Sequence, residues 1–253
     1  DEGIKKNMGY HESLTEGRNA VLEAFRSGKT VDRLFVLDGC QDGPVKTILR
    51  EAKKQDTMVQ YVKKERLDQL SETKNHQGVI AYCAACEYAE VSDILENAKK
   101  KGEAPFIVLL DGIEDPHNLG AIIRTANQAG AHGVIIPKRR AVGLTATVAR
   151  TSAGAVNYTP VAKVTNLVTV MEDLKKEGMW FVCADMDGEE MYSLNLKGPI
   201  GLVIGNEGEG VSRLVKEHCD MVASIPMKGD IDSLNASVAM GVLAYEIVRQ
   251  RRF

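Results

Sequence analysis

The sequence of 253 residues predicts an α/β protein with a small N-terminal unit and a larger unit built on a parallel sheet. Short apolar runs that suit strands alternate with helix-like segments along almost the whole chain, as in strands joined by helices. A charged stretch poor in large apolar residues separates the two halves. We therefore expect an N-terminal domain over residues 10–86, a linker over 87–103 and a C-terminal domain over 104–253.

The N-terminal half predicts alternating helices and strands. Val21, Leu22 and Phe25 recur on one helical face. Pro44 falls in the first turn of a later helix, where proline is tolerated. The predicted elements are a helix over 13–26, a strand over 33–37, a helix over 44–54, a strand over 58–62, a helix over 65–70, a strand over 78–83 and, in the linker, a helix over 91–100.

The C-terminal half predicts a mostly parallel sheet that helices cover on both faces. Its first strand, over 106–110, is a continuous apolar run typical of a buried parallel strand. Asn166 and Ser233 are expected to cap helices. The predicted elements are strands over 106–110, 133–136, 161–163, 180–185, 200–204 and 221–225, and helices over 119–129, 145–154, 166–176 and 233–252.

Composition limits the classes of protein to consider. The formal net charge of −3 argues against wholesale wrapping of nucleic acid, but an enzyme needs only a local basic surface. The sequence has no apolar run of about 18 residues, so it predicts no membrane span. Residues 1–6 lack the apolar segment of a secretory signal. Cys83 and Cys86 form a lone C-x-x-C without a second pair at zinc spacing, so we expect no metal. Unpaired cysteines favour a cytoplasmic protein.

A polar loop follows the strand over 106–110 and leads into a helix that contains Asn118 and Arg124. Ligands of open α/β sheets bind at the carboxyl ends of the strands. Arg124 follows Ile122 and Ile123, so its guanidinium needs an anionic partner or a cleft. A bound phosphate or carboxylate would supply that partner, and so would an internal ion pair.

A glycine-rich loop, Gly205-Asn206-Glu207-Gly208-Glu209-Gly210, follows the strand over 200–204. Glycines let the backbone approach a ligand closely. Their spacing is not that of a dinucleotide fingerprint or a P-loop, and two glutamates would repel phosphates, which argues against a nucleotide-dependent dehydrogenase. A neutral or cationic ligand fits the loop better, and a plain strand-to-helix turn is the alternative.

A third loop follows the strand that ends at Ile225 and enters the last helix through Ser233, Leu234 and Asn235. Two short polar side chains close to a helix N-terminus suit a ligand site. Each of them alone also suits helix capping.

Taken in this order, the three segments resemble the SpoU/TrmH branch of the SPOUT RNA methyltransferases. The chain is most similar to the bacterial 23S ribosomal RNA guanosine 2′-O-methyltransferases. The matching residues are Asn118-x-Gly120-x-x-x-Arg124, Gly205-Asn206-Glu207-Gly208-Glu209-Gly210, Ile225-Pro226-Met227, Ser233-Leu234-Asn235-Ala236-Ser237-Val238 and, in the N-terminal half, Gly17-Arg18-Asn19-Ala20-Val21 and His76-Gln77-Gly78-Val79.

The resemblance implies a fold, a cofactor and partners. It implies a deep trefoil knot in the C-terminal domain and an N-terminal domain that binds RNA. It implies S-adenosylmethionine as the cofactor, bound by backbone around Gly205, Ile225 and Leu234. It also implies a homodimer whose active site is completed across the interface.

The resemblance further implies a catalytic set that acts on a ribose 2′-hydroxyl: Asn118, Arg124, Glu207, Ser233 and Asn235. Because arginine stays protonated, we expect Arg124 to bind the adjacent phosphate or to stabilise the developing oxyanion, with Glu207 orienting it. The catalytic motifs leave open a ribose methyltransferase of transfer RNA. A non-catalytic RNA-binding factor in ribosome assembly is the alternative outside enzymes.

Overall fold

The structure, a computed structural model, describes residues 13–231 and 233–252, which fall into two compact units. The first contains the described residues up to Glu87 together with Gly143–Thr147. The second contains Tyr88–Val142 and the described residues from Val148 onward. The expected start of the N-terminal domain at residue 10 lies outside the described residues.

The first unit is a mixed sheet with helices on both faces. Its elements are β1 (Ser13–Glu16), α1 (Arg18–Arg26), β2 (Val31–Leu37), α2 (Gly43–Lys54), β3 (Met58–Val62), α3 (Lys64–Leu70) and β4 (Val79–Cys83). Its sheet has the strand order β1-β4-β2-β3, and β2 and β3 are its parallel pair. Val21 and Ile48 pack against Leu34 in one buried cluster, and Leu67 packs against Phe35 in another.

The second unit is a parallel sheet with the strand order β10-β8-β9-β5-β6-β7. The elements along this part of the chain are α4 (Val91–Lys101), β5 (Phe106–Asp111), α5 (Pro116–Gln128), β6 (Gly133–Pro137), α6 (Ala146–Thr151), a 3₁₀ turn (Ala155–Asn157), β7 (Val161–Val164), α7 (Leu167–Lys176), β8 (Trp180–Glu190), β9 (Ile200–Gly205), α8 (Arg213–Glu217), β10 (Met221–Ser224) and α9 (Ala236–Arg252). The sequence prediction of an α/β protein with a parallel-sheet domain is confirmed.

The strand order creates one crevice that is suited to a ligand. From β5 the chain continues to β6 and β7 on one side of the sheet, whereas from β9 it crosses to β10 on the other side. Loops that depart in opposite directions from neighbouring parallel strands open a crevice at their carboxyl ends. Asp111 and Gly205 are direct partners in the β5–β9 register, so the two strands end at the same level.

Helices cover both faces of this sheet. On one face, Ile94 of α4, Met171 of α7 and Val215 of α8 pack in a cluster with Ile107 and Leu109 of β5. On the other face, α5 and α9 contact each other, and α9 contacts β9. The segment expected to be a linker thus carries a helix whose Ile94 side chain is fully buried.

Three helix starts were predicted wrongly. The helix predicted over 119–129 begins at Pro116, because Asp115 caps it by accepting the His117 N–H. The helix predicted over 13–26 begins at Arg18, because residues 13–16 pair with β4 as a strand. Gly17, with a φ of +88°, separates this strand from the helix. The helix predicted over 233–252 begins at Ala236. Its cap is Asn235 and not Ser233, since Asn235 Oδ1 accepts the backbone N–H of Ser237 at 3.0 Å.

Gly133→Ala tests the packing of α4 on the sheet. An added Cβ would lie 2.5 Å from Ile94 Cγ1, so the free energy of unfolding should fall by about 1–3 kcal/mol. Urea denaturation followed by circular dichroism measures the change. Gly198→Ala is the matched control, because among the described residues no atom beyond its two chain neighbours lies within 4 Å of its Cβ position. Equal stability of the two variants would contradict this packing.

Candidate functional site

The loops after β5 and β9 are fastened to each other at the crevice. Asp111 Oδ2 accepts the backbone N–H of Ser212 at 2.8 Å, and Asn206 Nδ2 donates to the Gly112 carbonyl at 3.3 Å. Gly112 has a φ of +80°, a conformation that favours glycine. Hydrogen bonds between residues about a hundred positions apart in sequence therefore hold the two loops together.

The glycine-rich loop owes its shape to a tight closure. Asn206 and Gly210 exchange backbone hydrogen bonds of 3.2 and 2.8 Å, and Asn206 Oδ1 accepts the Gly208 N–H at 2.7 Å. A Cβ on Gly205 would overlap the backbone of Gly210, so this position requires glycine. The closed loop leaves Glu207 exposed. No role for Asn206 was predicted, and its place inside the glycine motif was the only signal.

Three predicted site residues meet in a hydrogen-bonded cluster, here called the amide–carboxylate triangle: Asn118, Glu207 and Asn235. Glu207 Oε1 accepts from Asn118 Nδ2 at 2.9 Å and from Asn235 Nδ2 at short range. Asn235 Nδ2 also lies 3.0 Å from Asn118 Oδ1. The backbone N–H of Ala236 adds a fourth contact, 3.3 Å from Glu207 Oε1.

Both asparagines of the triangle lie at helix N-termini. Asn118 is in the first turn of α5, which Asp115 caps by accepting the His117 N–H at 2.9 Å. Asn235 caps α9 and holds its Oδ1 on Ser237, which leaves its amide N–H groups for Glu207. Helix N-termini favour negative charge. The carboxylate of Glu207 is therefore stabilised by side-chain amides and by the start of α9.

Arg124 and Ser233 lie outside the hydrogen bonds of the triangle. Arg124 follows Asn118 by six residues, or about 1.7 helical turns, so the two side chains leave different faces of α5. Arg124 is exposed, and among the described residues its guanidinium makes no ion pair. The partners of Glu207 are the two asparagines and Ala236, so the expected contact between Glu207 and Arg124 is not seen. Ser233 is exposed, two residues before the cap of α9.

The predicted cofactor positions fall in three different loops. Gly205 ends β9, Ile225 follows β10, and Leu234 precedes the cap of α9. Ile225 and Leu234 are half-buried, while Glu207 and Glu209 are exposed two and four residues after Gly205. Glycine backbone, apolar side chains and carboxylates together suit a ligand that combines a flat apolar part with positive charge.

Metal clusters and membrane-spanning helices are both absent from the described residues. Over residues 13–231 and 233–252, His, Cys, Asp and Glu side chains form no group of three or more that could hold a metal ion. Within the same residues, no helix has both the length and the apolar character needed to span a bilayer.

Asn235→Asp tests the triangle separately from the helix cap. The new carboxylate can still cap α9, but it faces Glu207, and like charge raises the pKa of the introduced carboxyl. A carboxyl whose pKa is raised in the folded state destabilises the fold when the pH lies above that pKa. The destabilisation vanishes as the pH falls below the pKa of the same carboxyl in the unfolded chain, ~3.9. The Tm should therefore lie below wild type at high pH and approach it on acidification.

Asn235→Ala is the control for this experiment. It removes the cap and the amide without adding charge, so its Tm deficit should change less with pH than that of Asn235→Asp. Calorimetric scans between acidic and alkaline pH measure both variants. A deficit in Asn235→Asp that does not change with pH would contradict the contact between position 235 and Glu207.

Comparison with known proteins identifies the family. The model of the SpoU rRNA Methylase family matches residues 105–245, and the model for RNA 2′-O ribose methyltransferase substrate binding matches residues 14–89. A relative from Bacillus subtilis (strain 168), named for the TrmH family of tRNA/rRNA methyltransferases, is 49% identical over 96% of this chain and 98% of its own.

Solved structures agree with this assignment. The SpoU methyltransferase AviRb from Streptomyces viridochromogenes, in complex with AdoMet, has a TM-score of 0.60 and 27% identity, over 99% of this chain and 95% of that one. An AdoMet-bound rRNA methyltransferase from Sinorhizobium meliloti has a TM-score of 0.59 and 25% identity, over 93% and 86%. The chain therefore belongs to the SpoU rRNA methylase family, and it is an RNA 2′-O-ribose methyltransferase that uses S-adenosylmethionine.

Proposed function

We propose that this enzyme methylates a ribose of ribosomal RNA. The resemblance of its motifs indicates a guanosine of 23S ribosomal RNA as the target. The amide–carboxylate triangle is the observation that carries the ribose chemistry of the proposal, because it gathers three residues of the family motifs around one carboxylate. The S. meliloti structure named as an rRNA methyltransferase is similar over 93% of this chain, which includes both units, and that supports ribosomal RNA. The name of the B. subtilis relative covers transfer RNA as well, so transfer RNA is the second candidate.

The two units divide the work in this proposal. Residues 10–86 bind RNA, and residues 104–253 carry out transfer in a knotted domain, with 87–103 between them. The match of residues 14–89 to a substrate-binding model supports the first assignment. A cytoplasmic location suits an enzyme that acts on ribosomal RNA.

Backbone around Gly205, Ile225 and Leu234 holds S-adenosylmethionine in this proposal. A closed glycine loop, half-buried apolar side chains and exposed carboxylates support the assignment, because the cofactor combines an adenine ring with positive charge. When bound, the cofactor supplies a methyl group on a sulfonium sulfur. The loop keeps phosphate-repelling glutamates beside that position, which favours a cation over a nucleotide.

The chain's own residues prepare the ribose. A neutral 2′-hydroxyl is a poor nucleophile, so it must be oriented and its negative charge must be stabilised as it develops. Asn118, Asn235 and Glu207 form a fixed polar group that orients the ribose hydroxyl. Ser233 adds its own side-chain hydroxyl on the segment that leads to Asn235. Arg124 binds the adjacent phosphate or the developing oxyanion, since its guanidinium is exposed and unpaired within the described chain.

The enzyme acts as a homodimer in this proposal. Val238 and Tyr245 of α9 are 50% and 51% exposed, and Val242 lies half-buried on the same face. An exposed apolar stripe along a helix favours packing against another protein surface. Gly241 lets α9 pack closely on α5, since an added Cβ would lie 3.6 Å from Thr125 Cγ2.

Arg124→Ala should lower kcat/KM by about 10²–10³-fold, as removal of an oxyanion-stabilising group does. Arg124→Lys should recover only part of this loss, because lysine lacks the planar fork. The assay follows tritiated methyl transfer to total ribosomal RNA and total transfer RNA from cells that lack the enzyme, with the nucleosides identified by mass. Arg213→Ala is the control, since that side chain is 89% exposed on α8. Label in transfer RNA alone would overturn the ribosomal substrate.

A double substitution on α9, Val238→Glu with Tyr245→Glu, should give a monomer of 27.6 kDa in analytical ultracentrifugation. Two charges on the apolar stripe would have to be desolvated at the interface. Leu214→Glu places a charge on another exposed apolar residue, 54% exposed on α8, and should leave a dimer. A wild-type protein that sediments as a monomer would contradict the proposed assembly.

A further inference from the structure

A basic loop lies on the same edge of the sheet as the amide–carboxylate triangle. It consists of Lys138, Arg139 and Arg140, which follow β6 directly. β6 pairs in parallel with β5, so the carboxyl ends of the two strands are neighbours. Arg139 and Arg140 are exposed, and Lys138 is half-buried.

Three contacts fasten the basic loop and its continuation. The backbone N–H of Lys138 donates to the Val164 carbonyl at 2.8 Å, and the Val142 N–H donates to Ile113 at 3.0 Å. The Arg140 guanidinium lies 3.1 Å from the carboxylate of Glu209, in the loop that carries Glu207. The basic loop is thus tied to the loop after β5, which leads to Asn118, and to the loop after β9, which carries Glu207.

The sheet edge that carries the triangle is rich in acidic residues, so RNA could bind there only with the help of basic side chains. Several carboxylates lie at the end of β5 and in the loops after β5 and β9, and they would repel RNA phosphates unless positive charge compensates for them. These carboxylates belong to Asp111, Glu114, Asp115, Glu207 and Glu209. Arg140 is already paired with Glu209, whereas Arg139 is exposed and makes no ion pair within the described chain.

We propose that the basic loop binds the phosphate backbone of the RNA beside the target ribose, with Arg139 as the contact and Arg140 as the residue that fastens the loop. This inference rests on the proposed RNA substrate and assigns it a path across the catalytic unit. Phosphate contacts set the register of a nucleic acid and carry no sequence information of their own. Arg139 should therefore affect affinity for every RNA to a similar degree.

The test compares Arg139→Ala with Lys99→Ala in the full-length enzyme. Lys99 is exposed in the last turn of α4, which precedes the amino end of β5, so the control removes the same charge at the opposite edge of the sheet. Filter binding to 23S ribosomal RNA and to transfer RNA, both transcribed in vitro, is measured over a range of salt. Arg139→Ala should weaken binding to both RNAs about five- to tenfold. It should also reduce the slope of log K against log salt concentration by about one, which corresponds to one lost phosphate contact.

Steady-state kinetics and calorimetry complete the test. Arg139→Ala should raise KM for RNA, leave kcat unchanged and leave S-adenosylmethionine affinity unchanged. Equal RNA affinity in the two variants overturns the inference alone, and so does a loss of cofactor affinity in Arg139→Ala. If wild type transfers no methyl group while Arg139→Ala still binds RNA more weakly, the proposed reaction fails and the basic loop stands.

Discussion

The in-register pairing of β5 with β9 is the contact on which the site depends. Asp111 and Gly205 are direct partners at the ends of these strands, so the loops that follow leave the sheet at one level. Asn118 then comes seven residues later on one side and Glu207 two residues later on the other, close enough for a 2.9 Å hydrogen bond. A slip of one residue between the strands would reverse the faces of every side chain and separate this pair.

Much of the fold follows from local sequence patterns, and what does not depends on distant partners. Continuous apolar runs such as 106–110 predict buried parallel strands, and Asn166 caps α7 as expected. Residues 13–16 were predicted as helix, because only their pairing with β4, nearly 70 residues away, makes them a strand. The short helix α8 was not predicted at all, since five residues give little periodicity.

The site shows the same division between motif and geometry. The motifs predict that Asn118, Glu207 and Asn235 belong to one site, but not that Glu207 accepts from both amides. The contact expected between Glu207 and Arg124 follows from grouping residues by motif, and helical geometry puts Arg124 on another face. Charge adds a further distinction, because the exposed carboxylates of the glycine-rich loop suit a cation, whereas the neighbouring basic loop suits a polyanion.

The separation of the triangle's members in sequence has a consequence for biosynthesis. Asn118 and Asn235 are 117 positions apart, and the carboxylate between them needs both amides and the start of α9. At translation rates of about 5–20 residues per second, roughly 6–23 s pass between the synthesis of the first and the last member. A nascent chain that has already folded its N-terminal unit therefore still lacks a working centre. If residues 10–86 bind RNA as proposed, such a chain engages RNA before it can modify it.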